Sequence, residues 1–292
     1  MNTEPKTVGT LMAWTRQALD HSGTANSAQE TVWLLANALG LEHHQLASRA
    51  EQPVTPDQLA RTEALVSRRI KREPLQYILG AQEFCGLEFR VNPAVLIPRP
   101  ETELLVQAVL KEGGLAEGAT LVDVGTGSGC IAVTVATVLN GVRILALDCS
   151  AEALAIAKGN AERHGVGEKI AWIEGDLLSP LRSRDMVGAV DVIVSNPPYI
   201  AERDWAQLQP EVRDFEPRGA LLAGPRGTEF HERLFQDSKE FLVPDGLLVM
   251  EIGQGQVSLV RYAAEQAGGY TGLQTVKDEA GIERVLIARR AG

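Results

Sequence analysis

From residue 100 onward, short apolar runs alternate with stretches of helical periodicity, and this alternation predicts an α/β fold with a doubly wound, mostly parallel sheet. Two further observations frame the expectation. Residues 1–79 carry apolar side chains at helical spacing, with no strand-like alternation. A glycine-rich turn, Gly125-Thr-Gly-Ser-Gly129, falls between a strand-like run and a helix-like one, the place where doubly wound sheets bind nucleosides.

The elements follow in order. Helices are expected over Val8–Leu19, Ala28–Leu39 and Leu59–Ile70, separated by turns at Gly23, Gly40 and Pro53–Pro56. After Gly80 the pattern changes to two short strands, Glu83–Val91 and Ala94–Ile97, joined across Asn92-Pro93. Pro100 suits the first position of a helix whose first turn holds Glu101 and Glu103. Strand Thr120–Val124, helix Ile131–Leu139, strand Arg143–Leu147 and helix Ala151–His164 come next, the last capped by Ser150 and stopped at Gly165. Strands Ile170–Glu174, Val190–Ser195 and Leu247–Ile252 have the continuous apolar character of a buried parallel sheet. Leu273–Asp278 and Arg284–Ala288 read as a closing hairpin around Ala280-Gly281. The division expected is 1–79 helical, 80–99 a β-hairpin linker and 100–292 the catalytic domain.

Charge narrows the function classes. The 292 residues hold 38 acids against 28 bases, a net charge of −10, which is a poor start for gripping a polyanion. Residues 1–90 are near neutral, with 9 bases and 10 acids, while residues 91–292 carry 19 bases and 28 acids. A dedicated nucleic-acid binder is disfavoured. No run reaches the roughly 18 apolar residues of a membrane span, and the opening MNTEPKTVGT lacks a signal pattern. Three scattered cysteines make no disulfide framework or zinc knuckle. The expected setting is the cytoplasm, with no membrane association.

Two motifs carry chemistry. In Asp123-Val-Gly125-Thr126-Gly127-Ser128-Gly129 the glycines let backbone approach a ligand closely at a helix N-terminus. Asp148, 23 residues after Gly125, ends the next strand, where a carboxylate can accept both hydrogen bonds of a ribose diol. Cys130 occupies the third-glycine position of a dinucleotide fingerprint, which disfavours NAD; the pattern resembles the first motif of S-adenosylmethionine-dependent methyltransferases. The second motif, Ser195-Asn196-Pro197-Pro198-Tyr199-Ile200, follows the fourth strand. A planar amide or exocyclic amine has its nitrogen lone pair tied up in conjugation, so a site that methylates it needs acceptors for its N–H hydrogens and a flat surface. The Asn196 side-chain oxygen and Pro197 carbonyl can accept, the Tyr199 ring can stack, and the two prolines hold them in a set relation.

With those motifs in view, the chain resembles the release factor glutamine methyltransferases (HemK/PrmC family). The likeness extends to Arg72-Glu-Pro-Leu-Gln-Tyr-Ile-Leu-Gly80, Val95-Leu-Ile-Pro-Arg-Pro-Glu-Thr-Glu103, Phe215-Glu-Pro-Arg218 with Ala220-Leu221 and Gly224, Glu251-Ile-Gly253 with Gln256, and Asp278 through Gly281 to Arg284-Val285. It covers about residue 70 to the end, and residues 1–69 match only as a small helical domain. The resemblance implies a class I, Rossmann-like methyltransferase with a seven-stranded, mostly parallel sheet and an N-terminal helical domain that recognises the substrate. It implies S-adenosylmethionine as donor, S-adenosylhomocysteine as product, no metal, and a monomer. The acceptor it implies is the side-chain N5 of the glutamine in the Gly-Gly-Gln tip of class 1 peptide-chain release factors. By motif, Gly125, Thr126, Gly127, Ser128, Gly129, Asp148 and Asn196 contact the cofactor, and Asn196, Pro197, Pro198 and Tyr199 hold the glutamine. Asn196, Pro197 and Tyr199 are the catalytic set. Leu177, after Asp176, stands where the family contacts adenine, and here offers apolar packing instead of an aromatic stack.

Other readings share parts of this pattern. A DNA adenine N6-methyltransferase uses the same Asn-Pro-Pro-Tyr geometry but needs a basic target-recognition surface, which the charge distribution does not supply. A ribosomal-protein glutamine methyltransferase is closer, and the unbroken Pro-Arg-Pro-Glu-Thr-Glu favours the release-factor branch. A scaffold without turnover is opposed by the intact Asn196–Tyr199. Ser67-Arg-Arg-Ile-Lys-Arg-Glu73, the densest basic cluster, reads as a solvated helix face. His21, His43, His44, His164 and His231 have no ligand spacing. Cys130 and Cys149 read as small buried hydrophobes, and Trp14 and Trp33 as core. No general base is assigned, because the proton can leave after the nitrogen has become cationic.

Overall fold

The computed structural model describes residues 6–292, which form two compact units, one comprising the chain up to Gly80 plus Pro210–Phe215, the other the remainder. Among the described residues five helices come first: α1 (Val8–His21), α2 (Ser27–Leu39), α3 (Gln45–Ser48), α4 (Pro56–Ile70) and α5 (Leu75–Leu79). Local chemistry starts and stops them. Thr7 with Thr10, and Thr55 with Gln58, form reciprocal capping boxes at α1 and α4, and Gly40 and Gly80 end α2 and α5 in the left-handed conformation. Leu11, Leu35 and Leu46 bury one side of the bundle, and Leu19, Leu34 and Val66 the other. Trp14 and Trp33 are partly buried against these clusters.

The second unit begins with a hairpin, β1 (Ala81–Phe84) and β2 (Leu87–Arg90), followed by α6 (Pro100–Glu112), β3 (Thr120–Val124), α7 (Cys130–Val138), β4 (Arg143–Asp148), α8 (Ala151–Arg163), β5 (Ile170–Glu174) and β6 (Val190–Ser195). After β6 come β7 (Ile200–Ala201), α9 (Pro210–Phe215, which groups with the helical unit), β8 (Leu222–Gly224), α10 (Glu229–Phe241), β9 (Leu242–Glu251), α11 (Val257–Ala267), β10 (Tyr270–Lys277) and β11 (Glu283–Arg290). The main sheet has seven strands in the order β10-β11-β9-β6-β3-β4-β5. Strands β9, β6, β3, β4 and β5 run parallel, and β11 lies antiparallel between β9 and β10. Strand order reverses between β3 and β6, so their C-terminal ends flank the crevice where such sheets place a ligand. Successive residues of β3 feed opposite layers: Leu121 packs with α6 and α7, Val122 and Val124 with Leu234, Phe235 and Val260 of α10 and α11.

The expected sheet is present, with local corrections. The hairpin turns at Cys85-Gly86, with φ of 50° and 73°, the paired left-handed geometry of a two-residue turn; the strand expected over Glu83–Val91 is two strands. Ala94–Ile97 is not a strand, because Asn92 Oδ1 accepts from the Ala94 amide at 2.9 Å and closes a tight turn there. Strand β9 starts at Leu242, five positions before the expected Leu247, the extra stretch running through a bulge in which Asp245 has φ 62°. Helices α10 and α11 and the short α3, α5 and α9 have no counterpart in the sequence expectation. Cys130 is buried as expected, whereas Cys149 is exposed, since it lies just beyond the C-terminal end of β4.

The basic cluster is also a correction. Arg69 is only 5% exposed, because it continues the buried Thr62–Val66 stripe of α4. Its guanidinium donates to Glu30 at 2.6 Å and to Glu211 of α9 at 3.1 Å, while Arg72 donates to the other Glu211 oxygen at 2.8 Å and Arg68 pairs with Glu73. Burial opposes ionisation of Glu211, but its own backbone amide, Arg69 and Arg72 outweigh it and hold the carboxyl below its usual range. Removing the cation strips Glu30 of its partner and leaves Glu211 to Arg72 alone, so Arg69→Ala is expected to destabilise the helical unit by about 3 kcal/mol. Urea unfolding followed by helical circular dichroism checks this, and a midpoint equal to wild type would contradict it.

Candidate active site

The glycine turn that follows β3 is braced from beneath. Asp123 is fully buried; its Oδ2 accepts from Thr126 Oγ1 at 2.6 Å and from the Ala132 amide at 3.2 Å. Burial pushes its carboxyl up to about 7. Gly129 caps α7 with φ 81°, and a Cβ there would lie 3.0 Å from Ala157 Cβ, so turn and helix meet only because the residue is glycine. Asn160 of α8 clasps the turn to the hairpin: its Nδ2 donates to the Ser128 and Arg90 carbonyls, and its Oδ1 accepts from the Arg90 amide.

Above this turn lies a pocket lined by Gly125, Gly127, Asp148, Leu177, Asn196 and Pro198, together with Val95, Leu96, Ser150, Pro217 and Phe230 among others. Asp148 is oriented by two backbone amides, Gly127 to Oδ2 and Ser150 to Oδ1, each at 2.9 Å. Each carboxylate oxygen keeps a further lone pair for a ligand. Leu177 reaches the pocket from a left-handed backbone, φ 46°, and Phe230 of α10 adds an aromatic ring to the same pocket. Thr126, Ser128 and Gly129 are buried behind it and do not line it.

The Asn196–Tyr199 loop leaves the end of β6 beside the end of β9, because Ser195 pairs with Met250 in the sheet. Asn196 Nδ2 donates to Thr102 Oγ1 of α6 at 3.1 Å. Thr102 in turn donates to Glu251 Oε2 at 2.6 Å, and the Tyr199 hydroxyl donates to Glu251 Oε1 at 3.3 Å. Burial pushes Glu251 up to about 7, against the downward pull of the Thr102 and Tyr199 hydrogen bonds, and burial with the Glu251 charge beside it keeps the Tyr199 hydroxyl protonated. The backbone of the loop is held by Gln256, whose Nε2 donates to the Tyr199 carbonyl at 2.8 Å and the Gly227 carbonyl at 3.2 Å while Oε1 accepts from the Gly253 amide. A Cβ on Gly253 would come within 2.7 Å of Gln256 Oε1 and 3.1 Å of the Tyr199 ring. On the far side, Glu216 accepts from Arg99 and from the Ile97 amide, tying the segment after α9 to the lead-in of α6.

The structure therefore brings Gly125, Gly127, Asp148, Leu177, Asn196 and Pro198 around one pocket and sets Tyr199 behind Asn196 on a shared carboxylate. Nothing in the sequence alone assigns a role to Thr102, Glu251, Asn160 or Phe230. Thr102 and Glu251 fall inside motifs that carry the family resemblance, which was the available signal; Asn160 and Phe230 stand in ordinary helical patterns. Among the described residues no group of three or more His, Cys, Asp or Glu could hold a metal ion, and no helix is long and apolar enough to cross a membrane.

Residues 10–80 match the family described as PrmC N-terminal domain, and residues 100–211 the methyltransferase small domain. The chain is 44% identical over 283 residues to the release factor glutamine methyltransferase of Geobacter sulfurreducens, covering 97% of this chain and 96% of that one. The chain belongs to the release factor glutamine methyltransferase family. A second member, from Nitratidesulfovibrio vulgaris, is 40% identical and covers 99% of this chain and 97% of its own length. The fold of this family member is shared with solved methyltransferases: a Pyrococcus furiosus methyltransferase (TM-score 0.51, 18% identity, covering 77% of this chain and 99% of that one) and the hMettl16 catalytic domain in complex with MAT2A 3'UTR hairpin 6 (TM-score 0.56, 19% identity, 79% and 81%). These show the class I methyltransferase fold.

Proposed function

We propose that this family member transfers a methyl group from S-adenosylmethionine to the side-chain N5 of the glutamine in the Gly-Gly-Gln tip of class 1 release factors. The observation that carries the reading is the Asn196–Tyr199 loop, held on Glu251 and Gln256 at the end of β6 and opening onto the glycine-floored pocket.

The residues present suit the donor. Gly125 and Gly127 contribute no side chain to the floor, and Asp148, fixed by the Gly127 and Ser150 amides, offers lone pairs to a ribose diol. Leu177 and Phe230 supply apolar and aromatic surface for an adenine ring. The bound donor supplies an electrophilic methyl group on a sulfonium. This chain's residues do the rest by orientation. Asn196 Oδ1 and the Pro197 carbonyl accept the two hydrogens of the glutamine amide, and the Tyr199 ring flanks its plane, so the nitrogen is held toward the methyl group. Those acceptors also stabilise positive charge as it develops on the nitrogen, and the proton leaves afterwards without a dedicated base. Thr126, Ser128 and Gly129 act by shaping the floor.

Incubation with methyl-labelled S-adenosylmethionine and a purified class 1 release factor, beside its Gln→Ala tip variant, tests the reading. Label is expected on the intact factor alone. Equal label on both factors, or label on duplex DNA or ribosomal protein instead, would overturn it.

A further inference from the structure

Among the described residues, Glu251 is a buried carboxylate that joins two parts of the proposed amide-holding loop, Asn196 through Thr102 and Tyr199 directly. It is 2% exposed at the end of β9. An ionised carboxylate can only accept hydrogen bonds, and both oxygens are engaged: Oε2 by Thr102 Oγ1 at 2.6 Å, Oε1 by the Tyr199 hydroxyl at 3.3 Å. A threonine hydroxyl has a single hydrogen. Once that hydrogen is committed to Glu251, Thr102 Oγ1 has only lone pairs to present to Asn196, and the arm it can receive at 3.1 Å is Nδ2. The other arm of the planar amide, Oδ1, then points away from Thr102.

We propose that Glu251 is a positioning residue that selects, through Thr102, the one orientation of the Asn196 side-chain amide in which Oδ1 is available to accept from the substrate amide. The inference rests on the proposed role of Asn196. Polarity runs in one direction along the chain Asn196, Thr102, Glu251, and a carboxylate is the group that enforces it. A glutamine at 251 carries a donor arm that can give to Thr102 Oγ1. That frees the threonine hydrogen to turn toward Asn196, where it favours Oδ1 and presents an N–H donor to the substrate instead. The same carboxylate anchors Tyr199, so the acceptor and the flat surface share a single reference point in the sheet.

The test uses the full chain with S-adenosylmethionine and a release factor at pH 8, above the value of about 7 to which burial pushes the Glu251 carboxyl. Glu251→Gln and Thr102→Val are each expected to lower kcat by about 100-fold, with the KM for the factor and the calorimetric Kd for S-adenosylmethionine within about threefold of wild type. Thr102→Ser, which keeps the hydroxyl, is expected to restore kcat to within about threefold. A second readout needs no turnover. In 15N–1H spectra of the cofactor-free protein, the Asn196 Nδ2 pair, identified by its loss in Asn196→Ala, should be protected from exchange in wild type and Thr102→Ser, and unprotected in the other two variants. Should Glu251→Gln fail to fold, the Thr102 pair decides. Near-normal kcat in Thr102→Val, beside an inactive Asn196→Ala, would overturn this inference and leave the proposed function standing. An active Asn196→Ala would overturn both.

Discussion

Asn196→Ala is expected to bind S-adenosylmethionine with near wild-type affinity and to transfer its methyl group at least about a thousandfold more slowly. The substitution removes the side-chain oxygen proposed to accept a hydrogen of the glutamine amide, and with it the Nδ2 bond to Thr102 that locates the loop. The loop backbone keeps its other anchor, since Gln256, at the start of α11, holds the Tyr199 carbonyl, so the fold and the glycine-turn floor persist. Because the lost interaction matters chiefly in the transition state, kcat should fall far more than affinity for the donor changes. Single-turnover transfer to a release factor, beside calorimetry with S-adenosylmethionine, separates the two quantities. Turnover near the wild-type rate would remove Asn196 from the mechanism.

The second large effect falls on donor binding. Asp148→Ala deletes two charge-assisted hydrogen bonds at 2.9 Å that shape the pocket rim, from Gly127 and Ser150, and also the proposed acceptors for the ribose hydroxyls. Loss of about two such bonds to a charged acceptor corresponds to roughly a 100-fold weaker Kd for S-adenosylmethionine. Asp148→Asn keeps one acceptor arm and should fall between the two. At saturating donor, kcat for either variant should recover toward wild type, since neither touches the Asn196 loop. Calorimetry showing unchanged binding for Asp148→Ala would refute the assignment.

The two halves of the candidate site are legible in the sequence because each is local. A glycine turn announces itself in consecutive residues, and Gly129 is required by its own φ of 81° together with the nearby Ala157. Asn196–Tyr199 is likewise one uninterrupted stretch whose two prolines restrict the backbone before any tertiary contact forms. The hairpin shows the opposite case. Its apolar residues continue from Glu83 to Val91, so periodicity alone gives one strand, whereas the turn depends on Cys85, a residue with no strong turn preference, adopting φ of 50°. There the Cys85 amide donates to Glu103 of α6 at 2.8 Å, a partner the hairpin acquires only once it has packed.

What the sequence determined by itself is the strand–helix alternation from residue 100 to residue 195, the parallel core of the sheet, the glycine turn, the place of Asp148 and the Asn-Pro-Pro-Tyr loop, because each is encoded over a few neighbouring residues or a single repeat of period. The tertiary structure decided the rest. It turned Arg69 inward to meet a carboxylate 142 residues away, so what reads as a solvated basic face is a buried ion network. It set Glu251 and Thr102, 149 residues apart, in one hydrogen-bond chain behind Asn196. The physical reason is the same in both cases: a lone charged or hydroxyl side chain carries no periodic signal, and its role is defined only by the partner that folding brings within reach.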